Sequence, residues 1–337
     1  AYRNLIEEVA YTWFNRLIAV RFMEVNDYLP CRMRVLSSES ANKLEPDFVT
    51  NPFDSGIEFT ESERLKILSL KQENSLDDLF RLLFVRQCNE LHAILPELFE
   101  KTNDYTELLF SVSFTDREGV VYHLTHDIEE DDFNVEKGGQ VEIIGWLYQF
   151  YNTDPKDKVF ADLKKNIKIR KENIPAATQL FTPDWIVRYM VENSVGRLWL
   201  EGHPDTELQS QWKYFIPEAE QKAEVVKQLA EIRKNSAKLS PQDIRIMDPC
   251  MGSGHILVYA FDLMLRIYQS AGFSERDAVS EIMEHNLYGL DLDKRAYQLA
   301  YFALMMKARQ YDRRFFSRSI KPHLLSLIHI SEPTRQE

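Results

Sequence analysis

The sequence predicts an α + α/β chain: a mostly helical N-terminal domain over residues 1–172, then a partial doubly wound α/β domain over 173–324. Apolar residues recur at helical spacing through the opening stretch, a short apolar strand near 244–247 runs into a glycine-rich turn and a helix, and a second strand and long helix follow. A chain of 337 residues is also long enough for two domains.

Leu5, Val9, Trp13 and Leu17 recur every fourth residue, with Ile6, Ala10 and Phe14 beside them, a broad helical face that ends by Pro30. Residues 77–88 and 91–99 read as further helical pieces, broken near Pro96. Residues 105–122 are rich in aromatic and β-branched side chains and predict a short strand. Asp127, Glu129, Glu130, Asp131 and Asp132 form an acidic cluster expected on a solvated surface. After the Gly138-Gly139 break, residues 141–151 return to an apolar helix containing Trp146. Lys164, Lys165, Lys168, Arg170 and Lys171 form a basic patch that fits a phosphate contact or, more simply, a solvated helix face or linker.

Thr182 followed by Pro183 signals a helix N-cap and first turn, and Trp185, Ile186, Tyr189 and Met190 then share one helical face. Residues 217–238 are charged, alanine-rich and free of glycine, an exposed helix within a helical insert at about 201–240 that breaks at Ser240-Pro241. From there the pattern changes. Residues 244–247 form a short strand ending at Asp248-Pro249, 252–254 a turn and 255–269 a helix; a second helix spans about 274–285. Residues 287–290 form another strand, ended by Asp291, and 294–310 a long amphipathic helix. This order is the start of a doubly wound domain.

Such sheets bind ligands at the carboxyl ends of their strands, where Asp248 falls. Gly252 and Gly254 let the backbone turn sharply and a ligand come close, and the helix after them points amides and a positive dipole end at it. The spacing is neither the G-x-G-x-x-G of dinucleotide folds nor the G-K-S/T of nucleotide P-loops. Asp291, at the end of the next strand, can accept hydrogen bonds from both hydroxyls of a ribose, while Asp293 reads as the cap of the following helix. The gap from Gly254 to Asp291 exceeds the ~20 residues of a dinucleotide fold, and the helix at 274–285 fills it. Read alone, each of these residues also fits a tight turn or a plain helix cap.

Together, Thr178-Gln179-Leu180-Phe181-Thr182-Pro183, Asp248-Pro249-Cys250-Met251-Gly252-Ser253-Gly254-His255-Ile256-Leu257 and Gly289-Leu290-Asp291-Leu292-Asp293, with Ala296, Leu299 and Ala300, resemble motifs X, I and II of adenine-specific DNA methyltransferases of the type I and IIG restriction–modification kind. The front part, in residues 1–8 and in Arg21-Phe22-Met23-Glu24-Val25-Asn26-Asp27-Tyr28-Leu29-Pro30, resembles more narrowly the PglX family, the methyltransferases of BREX phage-defence systems. The likeness runs to about Pro322. It implies a class I, Rossmann-like methyltransferase domain, S-adenosyl-L-methionine as cofactor, double-stranded DNA as substrate, and other BREX proteins as partners. It also implies that Phe181, Thr182 and Pro183 contact the methionine end of the cofactor. Asp248, Pro249, Gly252, Ser253 and Gly254 line the pocket there, with Asp248 near the ammonium; Asp291 holds the ribose and Leu292 packs on the adenine ring.

The same family grips a flipped adenine with an Asn/Asp-Pro-Pro-Tyr/Phe motif, which aims the exocyclic amine at the methyl group and stacks an aromatic ring on the base. The sequence has no two adjacent prolines, and Asn51-Pro52-Phe53 lies too far upstream to serve. No catalytic residue is therefore assigned, and the chain alone is expected not to methylate DNA. Residues 325–335 resemble a translated sequencing adapter, so the natural sequence is expected to end near Leu324, with 325–337 an artefact. A chain that starts at Ala1 without a signal-peptide pattern reads as beginning inside a longer protein.

Composition bounds the alternatives. A hydrophobic share of 44% and a charged share of 28% fit an ordinary globular protein, and no run of about 18 apolar residues spans a membrane. Cys31, Cys88 and Cys250 are odd in number and far apart, which excludes a disulfide framework or a zinc site and fits reduced thiols in the cytoplasm; no metal is expected. A net charge of −12 argues against a chain that clamps nucleic acid over its whole surface. A non-catalytic helical or nucleoside-binding module of a restriction–modification complex is the competing reading, favoured by the missing motif. A nicotinamide or nucleotide enzyme has the wrong glycine spacing. No Pro-Asp…Glu-x-Lys nuclease pattern occurs in residues 1–170.

Overall fold

A computed structural model describes residues 2–40, 43–100, 107–169, 173–178 and 181–326. The chain divides into two compact units, residues 1–144 and 145–337. The first is helical among the described residues; the second combines helices with a small parallel sheet, as the α + α/β reading expects.

The first unit is built on α1 (Tyr2–Val25), α2 (Glu61–Gln72), α3 (Leu76–Leu91) and α4 (Val120–His126). Trp13, Leu17 and Phe22 of α1 are buried, together with Phe80, Leu83 and Phe84 of α3. The Arg21–Pro30 stretch carries a buried charge anchor. Glu24 accepts from Arg21 Nη1 (2.8 Å) and from the Val35 and Leu36 amides (2.7 and 2.8 Å), so the loop after α1 is tied back onto it. Removing either partner would strand a desolvated charge.

Some sequence expectations are corrected in this unit. Residues 92–99 form isolated turns rather than a helix, because Pro96 lacks the amide a continuing helix needs. No strand forms among the described residues of 107–122. The backbone amides of Phe114 and Thr115 donate to Asp77 Oδ1 (3.0 and 3.3 Å) instead of to a neighbouring strand, and the aromatic rings act as anchors. Phe110 stacks on Trp13 with centroids 4.0 Å apart, and Phe114 lies 5.6 Å from Phe80. The acidic cluster is exposed, as expected, but Glu130 is also paired: it accepts from Arg21 and, through both oxygens, from Arg34 (2.9 and 3.0 Å). Those guanidinium groups hold the Glu130 carboxyl below its ordinary range against the opposing effect of burial. Pro52 and Phe53 sit in a 3₁₀ turn, Pro52–Ser55, where Arg64 lies over the Phe53 ring.

The second unit takes in α5 (Ile143–Tyr151) from Gly145 onward and α6 (Thr153–Lys164), and continues through α7 (Asp184–Val191), α8 (Arg197–Gly202) and α9 (Ala223–Ser236). Pro183 itself takes the N-cap position of α7, with ψ 143°, and Thr182 makes no side-chain cap. The helix thus begins one residue later than Thr182-Pro183 suggests. Val187 and Val191 are its buried face; Trp185, Tyr189 and Met190 lie exposed. A π-turn, Glu192–Gly196, buries Glu192, whose oxygens accept from Tyr259 Oη and the Tyr214 amide, both at 2.6 Å.

Strands β1 (Ile246–Asp248), β2 (Leu287–Asp291) and β3 (His323–Ser326) form a parallel sheet in the order β1-β2-β3. Asp248 lies level with Gly289, and Asp291 with Ser326. Between β1 and β2 run α10 (His255–Ser270) and α11 (Glu275–Glu281), and α12 (Lys294–Tyr311) leads to β3. The three strands and the helices between them form a parallel βαβαβ unit. Helix α10 packs on β1, β2 and α12, and its Leu257, Val258, Ala260, Phe261 and Met264 are fully buried. Asn286 fastens the strand entries: its Nδ2 donates to the carbonyls of Pro241 and Ile244 (2.8 and 2.7 Å), and its Oδ1 accepts from Tyr268. Leu325 and Ser326, the start of the adapter-like stretch, pair with Leu290 and Asp291; residues 327–337 lie outside the described residues. No helix among the described residues is long and apolar enough to cross a membrane.

Candidate functional site

The loop between β1 and α10 is shaped by its own sequence. Asp248 ends β1 and turns its Oδ1 back to accept from the Cys250 amide (3.1 Å). The Met251 amide donates to the Leu290 carbonyl (3.1 Å), which draws the loop over the end of β2, and the Gly254 amide closes on Met251 O (2.8 Å). Gly252 and Gly254 have φ of +54° and +88°, the left-handed region that glycine enters without strain. Helix α10 begins at once, so its unsatisfied amides and positive end face the loop.

Asp291 closes the loop from the side of β2. Its Oδ2 accepts from the Gly252 amide and its Oδ1 from the Asp293 amide, both at 2.8 Å. Each oxygen keeps a further lone pair, so the carboxylate can hold a diol while holding the loop. Leu292 beside it is 48% exposed, an apolar surface at the carboxyl end of the central strand. Burial raises the Asp248 carboxyl above its ordinary range, opposed by the Cys250 amide and reinforced by the negative charge of Asp291. Among the described residues neither carboxylate pairs with Lys, Arg or His. The loop is therefore a site of excess negative charge beside a helix N-terminus, suited to a ligand carrying both a cation and a carboxylate.

Phe181 joins this loop from before α7. It is buried, and its Cε1 lies 3.5 Å from where a Cβ on Gly252 would stand. Thr182 is half-buried and Pro183 and Pro249 are exposed at the rim. Ser253 is buried, with its Oγ 3.0 Å from His255 Nδ1. The structure thus gathers Phe181, Asp248, Gly252, Ser253, Gly254, Asp291 and Leu292 around one loop. Gln179 and Leu180 lie outside the described residues, as do Arg170 and Lys171 of the basic patch, whose Lys164, Lys165 and Lys168 are exposed.

Sequence reading missed three neighbours of this loop. His255, 8% exposed, stacks on Phe181 with centroids 5.1 Å apart and meets Trp146 edge-on at 5.5 Å. Tyr148 Oη donates to Asp293 Oδ2 (2.7 Å). Position alone flags His255, the first residue of α10 after the glycines; nothing local marks Trp146 or Tyr148 as more than members of an apolar helix.

Burial pushes the His255 imidazole down to about 4, so it is neutral at pH 7. A histidine whose folded-state value lies below its ordinary value of about 6.5 contributes stability that is complete above 6.5 and lost as pH falls toward 4. His255→Asn, which keeps an acceptor for Ser253, is expected to flatten the loss of melting temperature between pH 7 and 4.5. An acid limb identical to wild type would show that His255 is not among the groups that drive it.

A glycine loop between the first strand and its helix, with the second strand's carboxylate opposite, is the arrangement in which open α/β sheets can hold a nucleoside ligand. The comparisons point to a family. Residues 219–328 match the family model "MmeI, DNA-methyltransferase domain". Over 342 aligned residues the chain is 49% identical to the adenine-specific methyltransferase PglX of Lacticaseibacillus casei (strain Zhang), covering 97% of this chain and 27% of that protein. It is 42% identical to the adenine-specific methyltransferase BrxX of Escherichia coli O9:H4 (strain HS), covering 96% of this chain and 26% of that protein. Along nearly its whole length the chain is similar to the corresponding part of these two methyltransferases, and it spans about a quarter of their length.

Proposed function

We propose that this chain supplies the helical front part and the first half of the cofactor-binding domain of an S-adenosyl-L-methionine-dependent DNA methyltransferase. The enzyme acts on the N6 amine of adenine within a specific site of double-stranded DNA. The observation that carries this reading is the pair of carboxylates without basic partners, Asp248 and Asp291, at adjacent strand ends around a left-handed glycine loop. Two buried or half-buried negative charges are costly until a cation neutralises them. S-adenosylmethionine carries an ammonium and a sulfonium, a carboxylate for the amides of α10, and a ribose diol. Asp248 holds the ammonium end, Phe181, Thr182 and Pro183 flank the methionine chain, Asp291 takes the ribose hydroxyls, and Leu292 covers the adenine. When bound, the cofactor supplies an electrophilic methyl group; the protein's part here is to orient it and keep water from Phe181's side of the pocket. The Rossmann-like reading of residues 173–324, a cytoplasmic location and a role in BREX phage defence with partner proteins belong to the same proposal, supported by the likeness to PglX and BrxX.

The test is label transfer. The full-length protein carrying this sequence is incubated with methyl-labelled S-adenosylmethionine and unmethylated duplex DNA, and the DNA is digested to nucleosides. Label is expected in N6-methyladenine. Label in a methylcytosine, or cofactor binding with no transfer to DNA, would overturn the adenine-specific reading and favour a binding module.

A further inference from the structure

We propose that Tyr148 is a positioning residue of this cofactor site, acting on Asp291 through Asp293. The inference rests on the reading of Asp291 as the ribose holder.

The argument begins with how Asp291 is oriented. Its Oδ1 is fixed by the Asp293 amide and its Oδ2 by the Gly252 amide. The first of these amides belongs to the N-cap residue of α12. Asp293 Oδ1 accepts from the Arg295 amide (3.0 Å), and its Oδ2 accepts from Tyr148 Oη (2.7 Å). The cap geometry, and with it the direction of the Asp293 amide, is therefore held from two sides. Capping side chains of this kind stabilise a helix start. Here the second hold comes from a residue 145 positions upstream.

That residue sits on a helix fixed against the same loop. A Cβ on Gly145 would meet Ser253 Oγ and, at 2.7 Å, His255 Cε1, so only glycine lets α5 approach this closely. One residue on, Trp146 packs edge-on against both His255 (5.5 Å) and Phe181 (6.5 Å). Helix α5 thus touches the glycine loop through Gly145 and Trp146, and the ribose carboxylate's support through Tyr148. Asp293 is desolvated, and burial raises its carboxyl above the ordinary range; the Tyr148 hydroxyl and the Arg295 amide offset that cost. Without Tyr148 a buried oxygen loses its donor, and the cap is free to move away from the position that aims Asp291.

The experiment measures binding by the full-length protein of S-adenosylhomocysteine and of its analogue lacking both ribose hydroxyls. Wild type is expected to bind the hydroxylated ligand more tightly. Tyr148→Phe is expected to weaken that ligand about fivefold, the size of one hydrogen bond, and to leave the dideoxy analogue unchanged, because a contact already absent cannot be lost. Equal weakening of both ligands, or of neither, overturns the positioning role. If wild type binds both ligands equally, Asp291 does not hold the ribose and the inference falls with that assignment. Failure of wild type to bind either ligand overturns the cofactor reading itself.

Discussion

Asp291→Ala is expected to lower affinity for S-adenosylmethionine by roughly a hundredfold or more. The size follows from the role proposed for the carboxylate. Charge-assisted hydrogen bonds to two ribose hydroxyls are worth about 1.5–3 kcal/mol each, and a loss of about 3 kcal/mol is roughly a hundredfold in affinity. The same side chain also accepts from the Gly252 and Asp293 amides, so its removal frees the glycine loop at the moment the ligand contact is lost. Asparagine is no mild substitute. Its amide nitrogen would face either the Gly252 or the Asp293 amide, donor against donor, so Asp291→Asn is expected to fall nearer to alanine than to wild type. Calorimetric titration of the full-length protein and its two variants checks this, with melting temperatures measured alongside. Equal binding by wild type and Asp291→Ala would remove the ribose assignment. The reach of the change is bounded by geometry: Asp248 keeps its own hydrogen bond to Cys250, so ammonium recognition is expected to persist in residual binding.

Legibility in the sequence tracks how local the determining interactions are. Strand β1, helix α10, strand β2 and helix α12 follow closely from apolar runs, glycines and the Asp293 cap, because each is decided within a few residues. The glycine loop and Asp291 are legible for the same reason: their residue types are dictated by backbone conformation and by the end of a strand. Helix α7 shows the limit. Periodicity marks a stripe of Trp185, Ile186, Tyr189 and Met190, yet Val187 and Val191 are what the fold buries. A stripe has no direction until the neighbouring element is known. The aromatic stretch near Phe110 and Phe114 reads as a strand because β propensity measures fit to a packed surface, and here the packed surface is α1 and α3 rather than a sheet. The Tyr148–Asp293 hydrogen bond and the His255 stack on Phe181 join distant positions through side chains that read as ordinary core residues. No local pattern encodes such pairs.

Gly254→Ala is expected to cost about 2–4 kcal/mol of stability in the second unit and to abolish cofactor binding where the fold survives. Two effects add. At φ +88° and ψ 16° a Cβ is strained against its own backbone, a cost of about 1–2 kcal/mol. That Cβ would also stand 3.1 Å from Ala300 Cβ and 3.2 Å from Ala300 Cα, and the second atom is the backbone of α12, which cannot rotate away. A double-mutant cycle separates the two. Ala300→Gly removes the methyl group 3.1 Å away and leaves both the crowding against the α12 backbone and the φ strain, so it should recover about 1 kcal/mol of the loss and no more. Gly252→Ala is the internal control. Its φ of +54° lies within the region other residues can occupy, and its nearest neighbour, Phe181 Cε1, is 3.5 Å away. Gly252→Ala is therefore expected to cost about 1 kcal/mol and to act mainly on ligand affinity. Denaturant unfolding of the three variants and the double mutant gives the ordering directly. If Gly254→Ala proved no more costly than Gly252→Ala, the close approach of the loop to α12 would not be what fixes the loop's shape.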